Sequence, residues 1–301
     1  MAAVTQAPYR VPVETRGRSR TRVVDRKPRP HEVVQLWITR LVLWVACAAV
    51  LLPLLFIVSA SFTAGDAFFS GSLIPRPFTL SNYAKVLTET KYLTWLKNTV
   101  IVALITGTIQ VINTSLSAYA FARLRFRLRR VGLIGLLLLQ MFPTFLNLPA
   151  LYLLFLKLDL IDSLVGIGLI MVTGNAFNIW VMKGFIDGLP IELDEAAKVD
   201  GATDFQVFTR IILPLSAPML AVQFLWAVVG VFNEYLLSSV LIQSPDKMIM
   251  GPGLQNFIVN QFSAHWTQFA AAAVLTSVPL VALWLYLQRY IVSGLAGALK
   301  G

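Results

Sequence analysis

Apolar residues gather in runs of about twenty, the length that carries an α-helix across a bilayer core of about 30 Å. The runs are Trp37–Ser61, Asn98–Phe121, Val131–Phe155, Ser163–Met182, Ala217–Ile242 and Phe269–Val292. Inside lipid the backbone finds no water, so only helices and closed barrels can span it. These runs are too long and too continuous for barrel strands. The expected fold is therefore all-α and integral to a membrane, a bundle of six transmembrane helices. Composition agrees: 57% of the 301 residues are apolar and 13% charged, too little charge to cover a soluble domain of this size. Leu41–Ala60 exceeds a usual signal-peptide core, and its basic flank is also long, so it reads as a retained first helix. Cys47, the single cysteine, has no intrachain partner and sits in that run as a packing residue.

The formal charge of +10 is unevenly placed. Arg10, Arg16, Arg18, Arg20, Arg22, Arg26, Lys27 and Arg29 crowd the first segment, and Arg123, Arg125, Arg127, Arg129 and Arg130 crowd one loop. Beside apolar spans, such clusters fix orientation and meet anionic lipid; nucleic acid is the lesser reading. Both clusters fall on one side if the first two spans form a hairpin, which places both termini in the cytoplasm. The chain then divides into a basic, flexible cytoplasmic segment (1–36), a six-helix transmembrane domain (37–292) and a cytoplasmic tail (293–301). Outside the membrane, Thr79 or Ser81 is expected to cap a short helix through Val86. Gly251-Pro252-Gly253 reads as a turn, and Phe257, Phe262 and Trp266 as interface anchors.

One cytoplasmic loop, 184–214, is acidic: Asp187, Glu192, Asp194, Glu195, Asp200 and Asp204 stand against few cations. Local rules predict two short helices. Pro190 suits a first helical position, and Glu192, Asp194 and Glu195 suit the positive end of the helix dipole. Ala196 and Ala197 offer a small surface to another protein. Gly201 is placed to end the first helix in a left-handed conformation, and Thr203 and Gln206 have capping-box spacing for the second. Phe205, Phe208, Ile211 and Ile212 are expected on one side of it.

Glu195-Ala196-Ala197, then Gly201, then Ile211-x-Leu213-Pro214 resembles the EAA loop of permease subunits from binding-protein-dependent ABC importers. Ala118–Phe126, Gln140–Pro143, Ala150–Phe155, Gly253–Gln255, Phe269–Val274 and the ending Val292–Gly301 resemble the maltose and maltodextrin members of that family. The resemblance covers most of the chain from Pro77 onward. It implies that Glu195, Ala196, Ala197, Asp200, Gly201, Leu213 and Pro214 couple the chain to an ATPase. It further implies a homologous permease partner, two ATPase subunits and an extracytoplasmic sugar-binding protein. The expected place is the cytoplasmic (inner) membrane of a bacterium or archaeon. Maltose or maltodextrin is the cargo implied, with trehalose or another oligosaccharide left open.

The chain is not expected to be an enzyme or to bind a cofactor. It has no Gly-x-x-x-x-Gly-Lys-Ser/Thr phosphate loop, so ATP and Mg²⁺ belong to partner subunits. Its two histidines, His31 and His265, are far apart in sequence and suggest no metal site. Among the polar residues in the spans, Gln110, Asn113, Gln140, Asn175 and Gln223 read as interhelical hydrogen-bonding groups. Glu234 is the acidic one and, with Asn233, is a candidate pathway or gate. A secondary transporter using Glu234 as an ion site is the competing class, but it leaves the acidic loop without a role.

Overall fold

The computed structural model describes residues 9–11, 22–24, 30–66, 74–75, 77–173, 175–259 and 265–298. It divides into two compact units, Met1–Phe56 and Ile57–Gly301. In the first, β1 (Tyr9–Val11) and β2 (Arg22–Val24) form an antiparallel ribbon pairing Tyr9 with Val24 and Val11 with Arg22. This ribbon departs from an all-helical expectation. The arm expected to be flexible over 1–36 is helical from Pro30, where α1 begins, and apart from the ribbon its remaining residues lie outside the described ones. Helix α1 (Pro30–Ser61) begins in the first unit, and its apolar side chains from Val34 to Leu55 are exposed, as lipid contact requires.

The second unit is helical. It comprises α2 (Ser81–Thr88), α3 (Tyr92–Arg123), α4 (Arg129–Gln140), α5 (Leu148–Lys157), α6 (Leu164–Val172), α7 (Ala176–Asp187), α8 (Glu192–Val199) and α9 (Asp204–Val207). A π-turn (Phe208–Ile212) leads to α10 (Leu213–Leu215), α11 (Ala217–Phe232), α12 (Leu236–Leu241), α13 (Met250–Gln255) and α14 (Trp266–Ala298). Helices α1, α3 and α14 are each long and apolar enough to cross a membrane. Three bent pairs pass the same test as single spans, giving three to six candidate spans among the described residues. The expected continuous spans Val131–Phe155, Ser163–Met182 and Ala217–Ile242 are each interrupted. The chain turns by 78° between α4 and α5, where Pro143 withholds a backbone donor, and by 46° between α6 and α7. Helix α14 continues to Ala298, past the expected span end at Val292.

Helix α3 lies at the centre and packs against α6, α7, α11 and α13. Small residues allow the approach: a Cβ on Gly107 would stand 3.1 Å from the Phe224 ring of α11. On α14, Ala270, Ala271 and Ala272 are fully buried. Thr79 accepts from the Ser81 N–H at 3.0 Å, so it supports the start of α2 from one residue before the N-cap, Leu80.

The expected turn at Gly251–Gly253 is instead the body of α13. The two glycines serve close packing: a Cβ on Gly251 would lie 2.1 Å from the Glu234 carbonyl oxygen, and one on Gly253 2.5 Å from the Trp95 ring. Phe257, expected as an interface anchor, is buried edge-on to Trp95 at 6.3 Å. Trp266 is 37% exposed at the start of α14, consistent with an interface position, and Phe262 lies outside the described residues. Gly251→Ala should lower stability by about 1–3 kcal/mol through overpacking. Gly230→Ala, where a Cβ meets nothing within 4 Å, should be neutral or stabilising. Thermal unfolding of the purified chain in detergent compares the two.

Candidate functional site

The loop between α7 and α11 folds as two helices hinged at Gly201. Helix α8 starts two residues after Pro190, with Ile191 at its N-cap, so the proline precedes the helix instead of opening it. Its acidic first turn is as expected. Its end is a Schellman motif: the Ala202 N–H donates to the Ala197 carbonyl at 2.9 Å and the Gly201 N–H to the Lys198 carbonyl at 3.0 Å. Gly201 has φ +84°, a conformation that L side chains rarely adopt. Thr203 and Gln206 then form both halves of a capping box on α9. An exposed ion pair, Lys198 Nζ to Asp204 Oδ1 at 2.7 Å, bridges the hinge.

What fixes this element to the bundle is a buried ion pair that the sequence did not single out. Arg123, in the last turn of α3, places Nε 2.7 Å from Asp194 Oδ2, and the two side chains are 8% and 7% exposed. The Nε–H is not aimed along this contact, and Asp194 Oδ1 has no hydrogen-bond partner among the described residues. The same guanidinium donates through Nη2 to the Leu189 carbonyl at 2.9 Å. One turn earlier on α3, the Tyr119 hydroxyl donates to the Asp204 carbonyl at 3.1 Å, and its ring tilts against Phe208 at 5.1 Å. Helix α3 thus holds α8 and α9 by separate contacts.

Asp194 and Ala197, three apart, share the inward face of α8. Ala197 and Leu213 are half-buried against the cluster of Tyr119, Met182, Ile186, Val207 and Ile212. Glu195, Ala196, Asp200, Gly201 and Pro214 are exposed. The expected side of the second helix is corrected: Val207, Phe208 and Ile212 are buried, while Phe205 is 67% exposed. Phe205 stands in the first turn of α9, ahead of the π-turn, with its ring 6.4 Å from that of Phe208 and its outer side uncovered. Phe205, Val199 at 88% exposure and Ile191 form apolar points beside Glu192, Glu195 and Asp200. The arrangement is an exposed, acidic, partly apolar surface, and among its described residues no paired groups are suited to covalent or acid–base chemistry.

Glu234 and Asn233 lie elsewhere, in the break between α11 and α12. Glu234 Oε1 accepts the Leu237 N–H at 2.6 Å and the Ser238 N–H at 3.3 Å, capping α12. Glu234 also lines a cavity of about 720 Å³ with Gln110, Gln140, Asn147 and Thr173. Asn233 bonds back to the Val229 carbonyl of its own helix at 3.0 Å and is absent from this lining. Four of the five amides are interhelical as expected, several of them near the break between α6 and α7, while Asn113 accepts from the Ser117 hydroxyl of its own helix at 3.4 Å. Gln110 donates to the Met171 carbonyl, Gln140 accepts the Phe177 N–H at 2.7 Å, and Gln223 donates to the Asn178 carbonyl at 2.9 Å. Asn175 donates to Thr114 at 3.0 Å.

At the far end of α12, Asp162 is a second hub that sequence reasoning missed. Its φ is +56°. Its carboxylate accepts the Gln243 and Ser244 N–H groups at 3.0 and 2.9 Å and the Ser244 hydroxyl at 2.6 Å, and it pairs with Lys247 at 3.1 Å. Burial pushes its pKa up, but the bonds from Ser244, Gln243 and Lys247 prevail and hold it well below the usual carboxylate range. Among the described residues no three His, Cys, Asp or Glu gather to hold a metal, and His265 faces Asp66 at 3.0 Å.

Comparison with known proteins places this geometry. Residues 114–297, which contain the hinged loop, match the family described as binding-protein-dependent transport system inner membrane component. The maltodextrin transport system permease protein MdxG of Bacillus subtilis is 40% identical over 87% of this chain and 95% of its own length. The galactooligosaccharides transport system permease protein GanQ of the same species is 36% identical over 93% and 100%. The maltose/maltodextrin permease protein MalG of Vibrio vulnificus is 39% identical over 89% and 96%. Among solved structures, a bacterial ABC transporter involved in import of the acidic polysaccharide alginate aligns with TM-score 0.70 at 24% identity. It covers 88% of this chain and 99% of that one, and shows a shared fold. The chain belongs to the inner-membrane components of binding-protein-dependent transport systems, multi-pass permease subunits that are not themselves catalytic.

Removing one partner of the buried pair, by Asp194→Ala or Arg123→Ala, should destabilise the loop by about 3–5 kcal/mol, because it strands a buried charge. Amide hydrogen exchange should then rise across α8 and α9 before it rises in α3. At Asp162 the folded pKa is lowered. Its stabilisation is therefore complete above the unfolded value of about 3.9 and is lost as pH falls through the lower folded value. Protease sensitivity of the 243–249 loop should stay flat from pH 7 to 5, whereas Asp162→Ala should raise it throughout.

Proposed function

We propose that this chain is one of two permease subunits forming the translocation pathway of an ATP-driven importer for oligosaccharides of the maltodextrin type. On this reading each bent pair is one crossing, six in all, so both termini share a side, and the arginine-rich segments support the cytoplasm as that side. The supporting observation is the α8–α9 element. It is rigidly tied to the central helix α3, yet presents Glu195, Ala196, Asp200 and Gly201 outward. That is what a coupling element needs: an exposed face for a partner and a stiff connection to the membrane helices. Two ATPase subunits closing on ATP draw two such elements together, one from each permease, and bias the bundle between inward-facing and outward-facing states. Leu213 and Pro214 close the motif where the loop re-enters the bundle. An extracytoplasmic binding protein delivers the sugar. A related alginate transporter is reported in complex with a pentasaccharide-bound periplasmic protein.

The Glu234 cavity is the part of the pathway contributed by this chain, with the carboxyl group and neighbouring amides offering hydrogen bonds to sugar hydroxyls. Cargo in the maltodextrin class follows the names of several relatives. The galactooligosaccharide relative gives the second reading, another oligosaccharide on the same scaffold.

A cysteine at Ala196, in a Cys47→Ser background, should crosslink to the copurifying ATPase subunit. Deletion of Ile191–Leu213 should abolish assembly and transport. Intact assembly and sugar uptake after that deletion would overturn the coupling role. Calorimetric titration of the cognate binding protein with maltodextrins, galactooligosaccharides and trehalose separates the cargo readings.

A further inference from the structure

Beside the coupling element, a cavity of about 530 Å³ opens between the start of α4 and the end of α7. Arg127, Arg129, Arg130 and Lys183 supply its charge. Phe126, Ile134 and Trp180 supply apolar walls, each more than 40% exposed. The four cations are not equivalent. Lys183 is paired with Asp187. Arg129 donates through Nε and Nη2 to the Phe121 and Ala122 carbonyls at 2.6 and 2.9 Å, which fixes its guanidinium while leaving its charge unneutralised. Arg127 and Arg130 have no carboxylate partner among the described residues. Three arginines therefore line one opening without a carboxylate partner among the described residues, and two of them, Arg127 and Arg130, are not held by the α3 terminus.

Guanidinium groups match phosphate oxygens through paired hydrogen bonds, and the cavity volume falls in the range of small-ligand sites. Its walls argue for a ligand that is anionic at one end and apolar at the other. Trp180 and Lys183, three apart on α7, set an amphipathic ring and an ammonium on one face, as at a membrane boundary. We propose that this cavity binds the phosphate headgroup of an anionic membrane phospholipid, with the acyl chains lying along Ile134 and Trp180. Bound there, the lipid bridges α4 and α7 next to the clamp at Arg123. The proposal rests on the membrane placement of α4 and α7 and does not depend on the cargo.

The test uses the full chain with its copurifying subunits, extracted from membranes of mixed phosphatidylglycerol and phosphatidylcholine and analysed by native mass spectrometry. Wild type should retain phosphatidylglycerol in preference to phosphatidylcholine. The double variant Arg127→Gln/Arg130→Gln should reduce that retention roughly tenfold. Arg125→Gln removes one charge from the same basic cluster but not from the cavity lining, and should leave retention unchanged. Arg127→Lys/Arg130→Lys keeps the charge, guards against misfolding and should restore most of the binding. Equal retention of both lipids by wild type, or an equal loss in the Arg125 variant, would overturn the proposal. So would displacement of the lipid by millimolar inorganic phosphate, which identifies a free anion as the ligand. Loss of companion subunits with lipid retention intact assigns the face to a protein partner and also refutes it. Because retention is read without transport, it can fail while the importer reading stands.

Discussion

The arrangement depends on a charge pair removed from water. Arg123 and Asp194 are both nearly inaccessible, and bringing each into the bundle carries a desolvation cost that their attraction barely offsets. Such a pair adds little net stability compared with an apolar substitute, but losing one partner is severe. Its effect is to permit one register between α3 and α8 and to penalise the rest. The position suits the cation as well: Arg123 stands at the negative end of the α3 dipole, and Asp194 in the first turn of α8, at the positive end of that helix. Since α3 also packs against α6, α7 and α11, a displacement of α8 is delivered to the centre of the bundle rather than absorbed by a loose loop.

The same bundle contains several helix interruptions, and each exposes backbone groups that lipid cannot satisfy. The break between α6 and α7 is met by side-chain amides from three other helices: Gln110 of α3, Gln140 of α4 and Gln223 of α11. At the break between α11 and α12, Glu234 satisfies the freed N–H groups itself. Irregular backbone at this depth is tolerated where it lines a cavity, and Gln110, Gln140 and Glu234 all line the one beside these breaks. The polar residues that interrupt the apolar runs therefore have a double use, satisfying broken helices and giving the cavity its polar surface.

This division explains what could be read in advance. The three unbroken spans, the Schellman end at Gly201 and the capping box at Thr203 are governed by residues within a few positions of each other, so the sequence displays them directly, whereas the interruptions of the other expected spans are not visible in it. The Arg123–Asp194 pair joins positions far apart in the chain, and nothing local distinguishes Asp194 from its acidic neighbours except its spacing from Ala197. Gly251 and Gly253 read as turn formers because their local preference is for turns. Their packing against Glu234 and Trp95 is tertiary and overrides it. Phe205 and Phe208 share a local helical spacing, and tertiary packing alone separates the buried ring from the exposed one. Asp162 gave no motif, since its partners come from a loop after α12.

The arginines after α3 show most clearly how one compositional signal resolves into separate physical tasks. In sequence, Arg123, Arg125, Arg127, Arg129 and Arg130 form a single positive cluster, sufficient to argue membrane orientation. In the structure, Arg123 turns inward to hold α8, and Arg129 turns back to the last carbonyls of α3. Arg127 and Arg130 face the cavity at α7, while Arg125 is exposed and outside it. The first two neutralise a buried carboxylate and a helix terminus, needs that the protein creates within itself. Among the described residues no carboxylate meets Arg127 or Arg130, so their charge is open to the surroundings, and beside exposed aromatic and aliphatic walls the anion proposed for it is a membrane phosphate.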